Sequence, residues 1–135
     1  MTESSKHILL IQIIKEYVLN NINIEKAFLK CDLLGECKTE KVLNGYTPDV
    51  HYEYNGQVII GEAKTINDIN RTHSLLQYKS FLEYCNNYND SIFIISVPWT
   101  ETVFIKNILR KIKNDNKYNN VKIIIINDVK KVCEI

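Results

Sequence analysis

The pair Asn55-Gly56 constrains this chain more than any other two residues. It lies between two runs of alternating character, His51-Tyr-Glu-Tyr54 and Gln57-Val-Ile-Ile60. A two-residue type I′ turn needs positive φ at both central positions, and Asn followed by Gly tolerates that best. The turn also sets the register of its strands. Counting outward from it one residue at a time brings Asp49 opposite Glu62, with Cβ atoms about 4.5–5.5 Å apart on one face of the ribbon. Lys64, two residues beyond Glu62, projects from that same face.

Like charges set opposite each other destabilise a sheet, so this register calls for something positive between Asp49 and Glu62. A hard divalent cation fits, since magnesium takes one or two carboxylates together with water and substrate phosphate. An adjacent lysine can then orient or help deprotonate a metal-bound water for attack on phosphorus. The alternative is a surface hairpin on which Asp49, Glu62 and Lys64 form a loose ion cluster, because charges alternate along many half-exposed strands.

Pro48-Asp49, followed on the next strand by Glu62-Ala63-Lys64, resembles the signature of the PD-(D/E)XK nuclease superfamily. That superfamily includes many restriction endonucleases, Holliday junction resolvases and small replication-repair nuclease domains. By position, the resemblance implies that Asp49, Glu62 and the Ala63 carbonyl hold magnesium, with manganese able to substitute, and that Lys64 acts on the attacking water. It also implies a polar residue on the following helix, for which Gln77 is the match, orienting the water or a phosphate. A surface Gln making a rim hydrogen bond is the other reading of Gln77. Many members complete the metal site with a glutamate on the first helix. Here Glu16 points away from the apolar stripe of that helix while His7 lies on it, as a helper or as a structural histidine.

Composition limits the remaining choices. A chain of 135 residues with 45% hydrophobic and 24% charged residues is ordinary for one soluble globular domain, residues 1–135. The net charge of +1 gives no global pull toward nucleic acid, so phosphate binding must come from local patches. Four cysteines without a Cys-x-x-Cys pair or zinc-like histidine spacing read as reduced, mostly buried thiols of a cytoplasmic protein. No stretch reads as a signal peptide or membrane span.

In chain order, residues 6–20 read as a helix with His7, Leu10, Ile11, Ile14, Tyr17 and Val18 on its inner stripe. Residues 25–30 fit either a helical turn or a short extended segment. Residues 36–43 alternate like a strand, and Asn44-Gly45 supplies a second turn, giving a three-stranded antiparallel meander. A helix capped by Asn67 or Asp68 and reaching about residue 88 follows, with Arg71, Ser74, Leu75, Tyr78, Phe81, Leu82 and Cys85 inward. The run 70–74 is a candidate for contact with a nucleic-acid backbone. Residues 91–97 and 121–126 read as strands buried on both faces. The intervening helix, capped by Thr100 and reaching about residue 117, carries Lys106, Arg110, Lys113 and Lys117 on one basic face. The tail is expected to add a short edge.

The expected fold is therefore a single α/β domain of restriction endonuclease-like type, with a mixed sheet whose meander leads into parallel strands flanked by helices. The expected function is magnesium-dependent hydrolysis of DNA, with a homodimer where two cuts are needed. The alternatives are an RNA-cutting nuclease of the same fold and a non-catalytic nucleic-acid-binding or assembly subunit.

Overall fold

A computed structural model describes residues 5–69 and 72–135. It shows an open six-stranded mixed sheet with strands in sequence order and three helices. Strands β1 (Leu29–Cys31), β2 (Val50–Tyr54) and β3 (Gln57–Ala63) are antiparallel. Strands β4 (Asp90–Val97) and β5 (Val121–Asn127) continue parallel to β3, and β6 (Val132–Glu134) closes the far edge antiparallel to β5. Helices α2 (Thr72–Asn86) and α3 (Thr102–Asn116) are the two crossovers. Both pack on one face, as crossovers of a single hand require when parallel strands are added in one direction. Helix α1 (Ser5–Asn21) covers the other.

Period-two alternation divides the apolar residues between the layers. Val58, Ile60, Phe93, Ile95, Ile123 and Ile125 face α2 and α3, together with Tyr78, Phe81, Leu82, Ile105 and Leu109. Val50, Tyr52, Ile59, Ile94, Ile124 and Ile126 face α1, against Leu10, Ile11, Ile14 and Val18. The central strands are covered on both sides, which is why their sequences are near-continuous runs of Ile and Val. Cys31 and Cys85 are buried, Cys37 is exposed and Cys133 is intermediate; all four are free thiols. No helix among the described residues is long and apolar enough to cross a membrane.

The hairpin turn has the expected form, with Asn55 at φ 54° and Gly56 at φ 82°. The pairing that follows from it, Tyr54 with Gln57 through Val50 with Gly61, is present without a slip. The strand expected at 36–43 is absent. The first strand of the meander is Leu29–Cys31, entered from a 3-10 turn at Lys26–Phe28. Among the described side chains of residues 36–43 only Val42 packs against the core, and the segment settles by local bonds. Thr39 Oγ1 donates to Pro48 O at 2.5 Å, and Val42 N to Tyr46 O at 2.9 Å. Asn44-Gly45 does form a tight turn, with Asn44 at φ 61°, though no strands flank it.

Helix boundaries moved for similar reasons. Neither Asn67 nor Asp68 is the residue next to α2, which begins at Thr72 after a turn in which the Asp68 carbonyl accepts a bond from Ser74 Oγ at 2.6 Å. Of its expected inward stripe, Ser74, Tyr78, Phe81, Leu82 and Cys85 are buried and Leu75 half-buried, while Arg71, like Asn70, lies outside the described residues. Thr100 does not cap α3: it sits inside a 3-10 turn, Trp99–Glu101, that leads into the helix. The basic face of α3 is partly committed, since Lys113 Nζ donates to Val121 O at 3.0 Å and to Ile135 O at 3.4 Å.

Gly61 gives α1 its seat on the sheet. A Cβ there would lie 2.8 Å from Val50 Cβ and 2.9 Å from Ile14 Cγ2, closer than carbon atoms pack. Gly61→Ala is expected to lower stability by about 1–3 kcal/mol, the usual penalty for overpacking. Urea denaturation of the variant beside wild type measures it; equal stability would mean that α1 lifts off without cost.

Candidate functional site

Four polar side chains of the expected site are nearly withdrawn from solvent: Asp49 is 8% exposed, Glu62 4%, Lys64 8% and Gln77 9%. Surface strands do not bury charges in this way. The register explains the first three. Asp49 immediately precedes β2, Glu62 is the penultimate residue of β3, and the Asp49 N–H donates to Glu62 Oε1 at 3.2 Å. In return the Ala63 N–H donates to Asp49 Oδ2 at 2.9 Å. Lys64 continues β3 beside β4, its N–H donating to Ser96 O at 3.0 Å. Its Nζ lies 3.3 Å from Glu62 Oε2 and donates to Gln77 Oε1 at 2.6 Å. Gln77 is thus placed against the lysine, where sequence reasoning had it orienting water or phosphate.

His7 joins the group from the opposite layer. Its Nε2 is 3.1 Å from the Ala63 carbonyl oxygen and 3.3 Å from Asp49 Oδ2, between the two. The signal was legible: His7 sits on the inward stripe one turn before Leu10 and Ile11, at the end of α1 that lies over the exit of β3. Glu16 is exposed and reaches Lys130, away from the site. His51 pairs across the ribbon with Ile60 and meets the Tyr84 ring edge-on, so it packs against the core beside the site.

The electrostatics follow from burial. Glu62 has its pKa raised well above the ordinary carboxylate value, first by desolvation, then by the charge of Asp49 and a hydrogen bond between the two carboxyl groups; Lys64 offsets this only partly. Glu62 therefore holds a proton more tightly than a solvent-exposed carboxylate would. The donors present, two carboxylates, a carbonyl and an imidazole nitrogen, match the chemistry of a divalent cation, which would displace that proton. Among the described residues no group of three or more His, Cys, Asp or Glu side chains is spaced to hold a metal ion by itself. Magnesium does not require one, since it draws part of its shell from water and substrate phosphate.

The site forms the floor of a cleft of about 1010 Å3. Thr47, Ile66, Trp99 and Asp128 stand around it. Asp128 ties the rim together, pairing with Lys6 from α1 and accepting the Trp99 N–H at 2.8 Å. Neither Trp99 nor Asp128 was singled out from the sequence, because nothing local in either segment marks them as neighbours.

A raised carboxyl pKa in the fold has a definite sign for stability. Its contribution is complete below the unfolded value, about 4.3, and is lost as pH rises through the folded value. Glu62→Gln should therefore melt like wild type near pH 4 and several degrees higher near pH 8, in chelator. Equal melting at both pH values would mean that Glu62 ionises freely. No protein-family model, curated protein or solved structure matches this chain.

Proposed function

We propose that this chain is a metal-dependent nuclease of the PD-(D/E)XK type that hydrolyses phosphodiester bonds in DNA. The observation that carries the proposal is the buried group Asp49–Glu62–Lys64, assembled in hairpin register at the floor of an open cleft. A cleft near the upper end of the range for small-molecule pockets, and open along its rim, suits a segment of polymer.

Each residue has a separable task. Asp49, Glu62 and the Ala63 carbonyl would hold magnesium or manganese, with His7 Nε2 near enough to join them. When bound, such an ion supplies Lewis acidity and makes a ligated water easier to ionise. Lys64 presents its ammonium beside Glu62, where it orients a water and stabilises charge developing on phosphate oxygens. Gln77 fixes the Lys64 side chain through the bond to its Nζ, limiting its rotamers before substrate arrives. Cutting both strands of a duplex, or a junction, requires two such sites, which a homodimer would supply. A cytoplasmic setting would suit free thiols at all four cysteines.

His7 favours a second reading, an RNA-cutting nuclease of the same fold. A first-helix histidine helps bind metal in viral cap-snatching endonucleases, another branch of the superfamily, and His7 of the first helix here lies beside Asp49 and the Ala63 carbonyl.

Labelled single-stranded, duplex and four-way-junction DNA, and single-stranded RNA, incubated with magnesium or manganese, test both readings. Wild type should cut, and Glu62→Ala and Lys64→Ala should each lose at least about 100-fold in rate. The preferred substrate chooses between DNA and RNA. Absence of cutting throughout, with calorimetry showing no cation binding that depends on Glu62, would leave a non-catalytic nucleic-acid-binding or assembly subunit.

A further inference from the structure

Trp99 is the only tryptophan in the chain, and it is 61% exposed. Indole side chains are highly buried on average, so one standing in solvent calls for a physical reason. Its position supplies one. Trp99 lines the same cleft as Asp49, Glu62 and Lys64. Ser96 pairs with Ala63 in the sheet, and Trp99 follows it by three residues. At ~3.3–3.6 Å per residue, the indole-bearing backbone lies no more than about 11 Å from that pairing. The cleft is also lined by a second exposed apolar side chain, Ile66, at 59%.

The cleft therefore has a charged floor and, among the polar residues of its rim, two exposed apolar side chains, Trp99 and Ile66. A nucleotide presents the same division, with an anionic phosphate on one side of the sugar and a flat aromatic base on the other. We infer that Trp99 is a stacking platform for an unpaired nucleobase adjoining the phosphodiester seated over Asp49 and Glu62. The substrate strand is therefore single-stranded where it enters the site. This inference rests on the nuclease reading for the placement of the phosphate. Within a duplex both faces of each base are covered by their neighbours, so a lone side chain gains a base at least cost where pairing and stacking are already lost.

The backbone under Trp99 is held firmly, which lowers the entropic cost of stacking. Its N–H donates to Asp128 Oδ1 at 2.8 Å, and its carbonyl accepts from Thr102 Oγ1 at 3.0 Å. Pro98, with φ at −59°, restrains the chain just before it. Burial opposes ionisation of Asp128, but bonds from Lys6 and the Trp99 N–H outweigh it and hold its carboxyl below the usual range. Asp128 therefore remains an ionised acceptor for that N–H at neutral pH.

Because Trp99 is the only indole, tryptophan fluorescence reports this position alone. The measurement uses the full chain carrying Glu62→Gln, so that bound substrate is not cut, with magnesium present. Single-stranded DNA, single-stranded RNA and blunt duplex of equal length are added in turn. Saturable quenching by a single strand, and little by duplex, is the expected result, and the stronger of the two single strands identifies the sugar. By polarisation of labelled oligonucleotide, Trp99→Ala should weaken binding roughly 5- to 150-fold, the worth of one base on an aromatic ring. Trp99→Phe should retain most of the affinity.

Binding without quenching, equal quenching by duplex, or full affinity in Trp99→Ala would overturn the inference while leaving cleavage at Glu62 untouched. Fluorescence that changes with protein concentration alone would also overturn it, assigning the surface to contact between copies. Conversely, quenching by single strands with no cutting by wild type would retain the platform and remove the nuclease reading.

Discussion

The opposition of Asp49 and Glu62 across the β2–β3 ribbon is the contact on which the rest of the structure depends. Two carboxylates set opposite each other and shielded from water are unfavourable unless a proton, a cation or both offset their charge. The chain surrounds that pair with compensations: an N–H from each strand, the Lys64 ammonium, and His7 from the opposite layer. Each comes from a different part of the fold. The ribbon supplies the backbone donors, the extension of β3 supplies Lys64, and α1 supplies His7. Natural chains violate the rules of sheet pairing at functional sites and offset the cost elsewhere. Here the offset is visible atom by atom.

That arrangement also explains why three helices cover the sheet as they do. Side chains alternate across β3, so Glu62 must face the α2 layer while the neighbouring Ala63 faces α1. α2 contributes Gln77 from one side, and α1 contributes His7 from the other. Gly61 permits the second approach, because any side chain there would hold Ile14, and with it the helix, away from the sheet. The packing of α1 and the geometry of the site are one problem, solved by the absence of a single Cβ.

Local chemistry made much of this readable. Asn55-Gly56 determined a turn, the turn determined a register, and the register paired two acidic residues, with no help from distant parts of the chain. The buried strands 91–97 and 121–126 were equally legible, because strands covered on both faces can carry little except Ile, Val and Phe. The segment 36–43 was not. Its alternation of residue types was genuine, but alternation specifies a strand only when one face has an apolar surface to bury, and among the described side chains of this segment just Val42 packs against the core. Leu29–Cys31 took the edge position instead, held by register with Tyr52, His51 and Val50. Three residues are too few for a periodic signal to stand out.

By itself the amino-acid sequence determined the hairpin, its register and the face shared by Asp49, Glu62 and Lys64, since all of these follow from backbone sterics within eighteen neighbouring residues (47–64). Only the tertiary structure decided which groups complete the site. His7 reaches Asp49 because α1 crosses the end of β3, and Gln77 binds Lys64 because α2 lies over its face. Trp99 and Asp128 share the rim because β4 and β5 end side by side. These contacts span between 13 and 42 residues of chain. Their formation depends on which apolar faces pack together and at what offset, a property of the assembled core that no local pattern encodes.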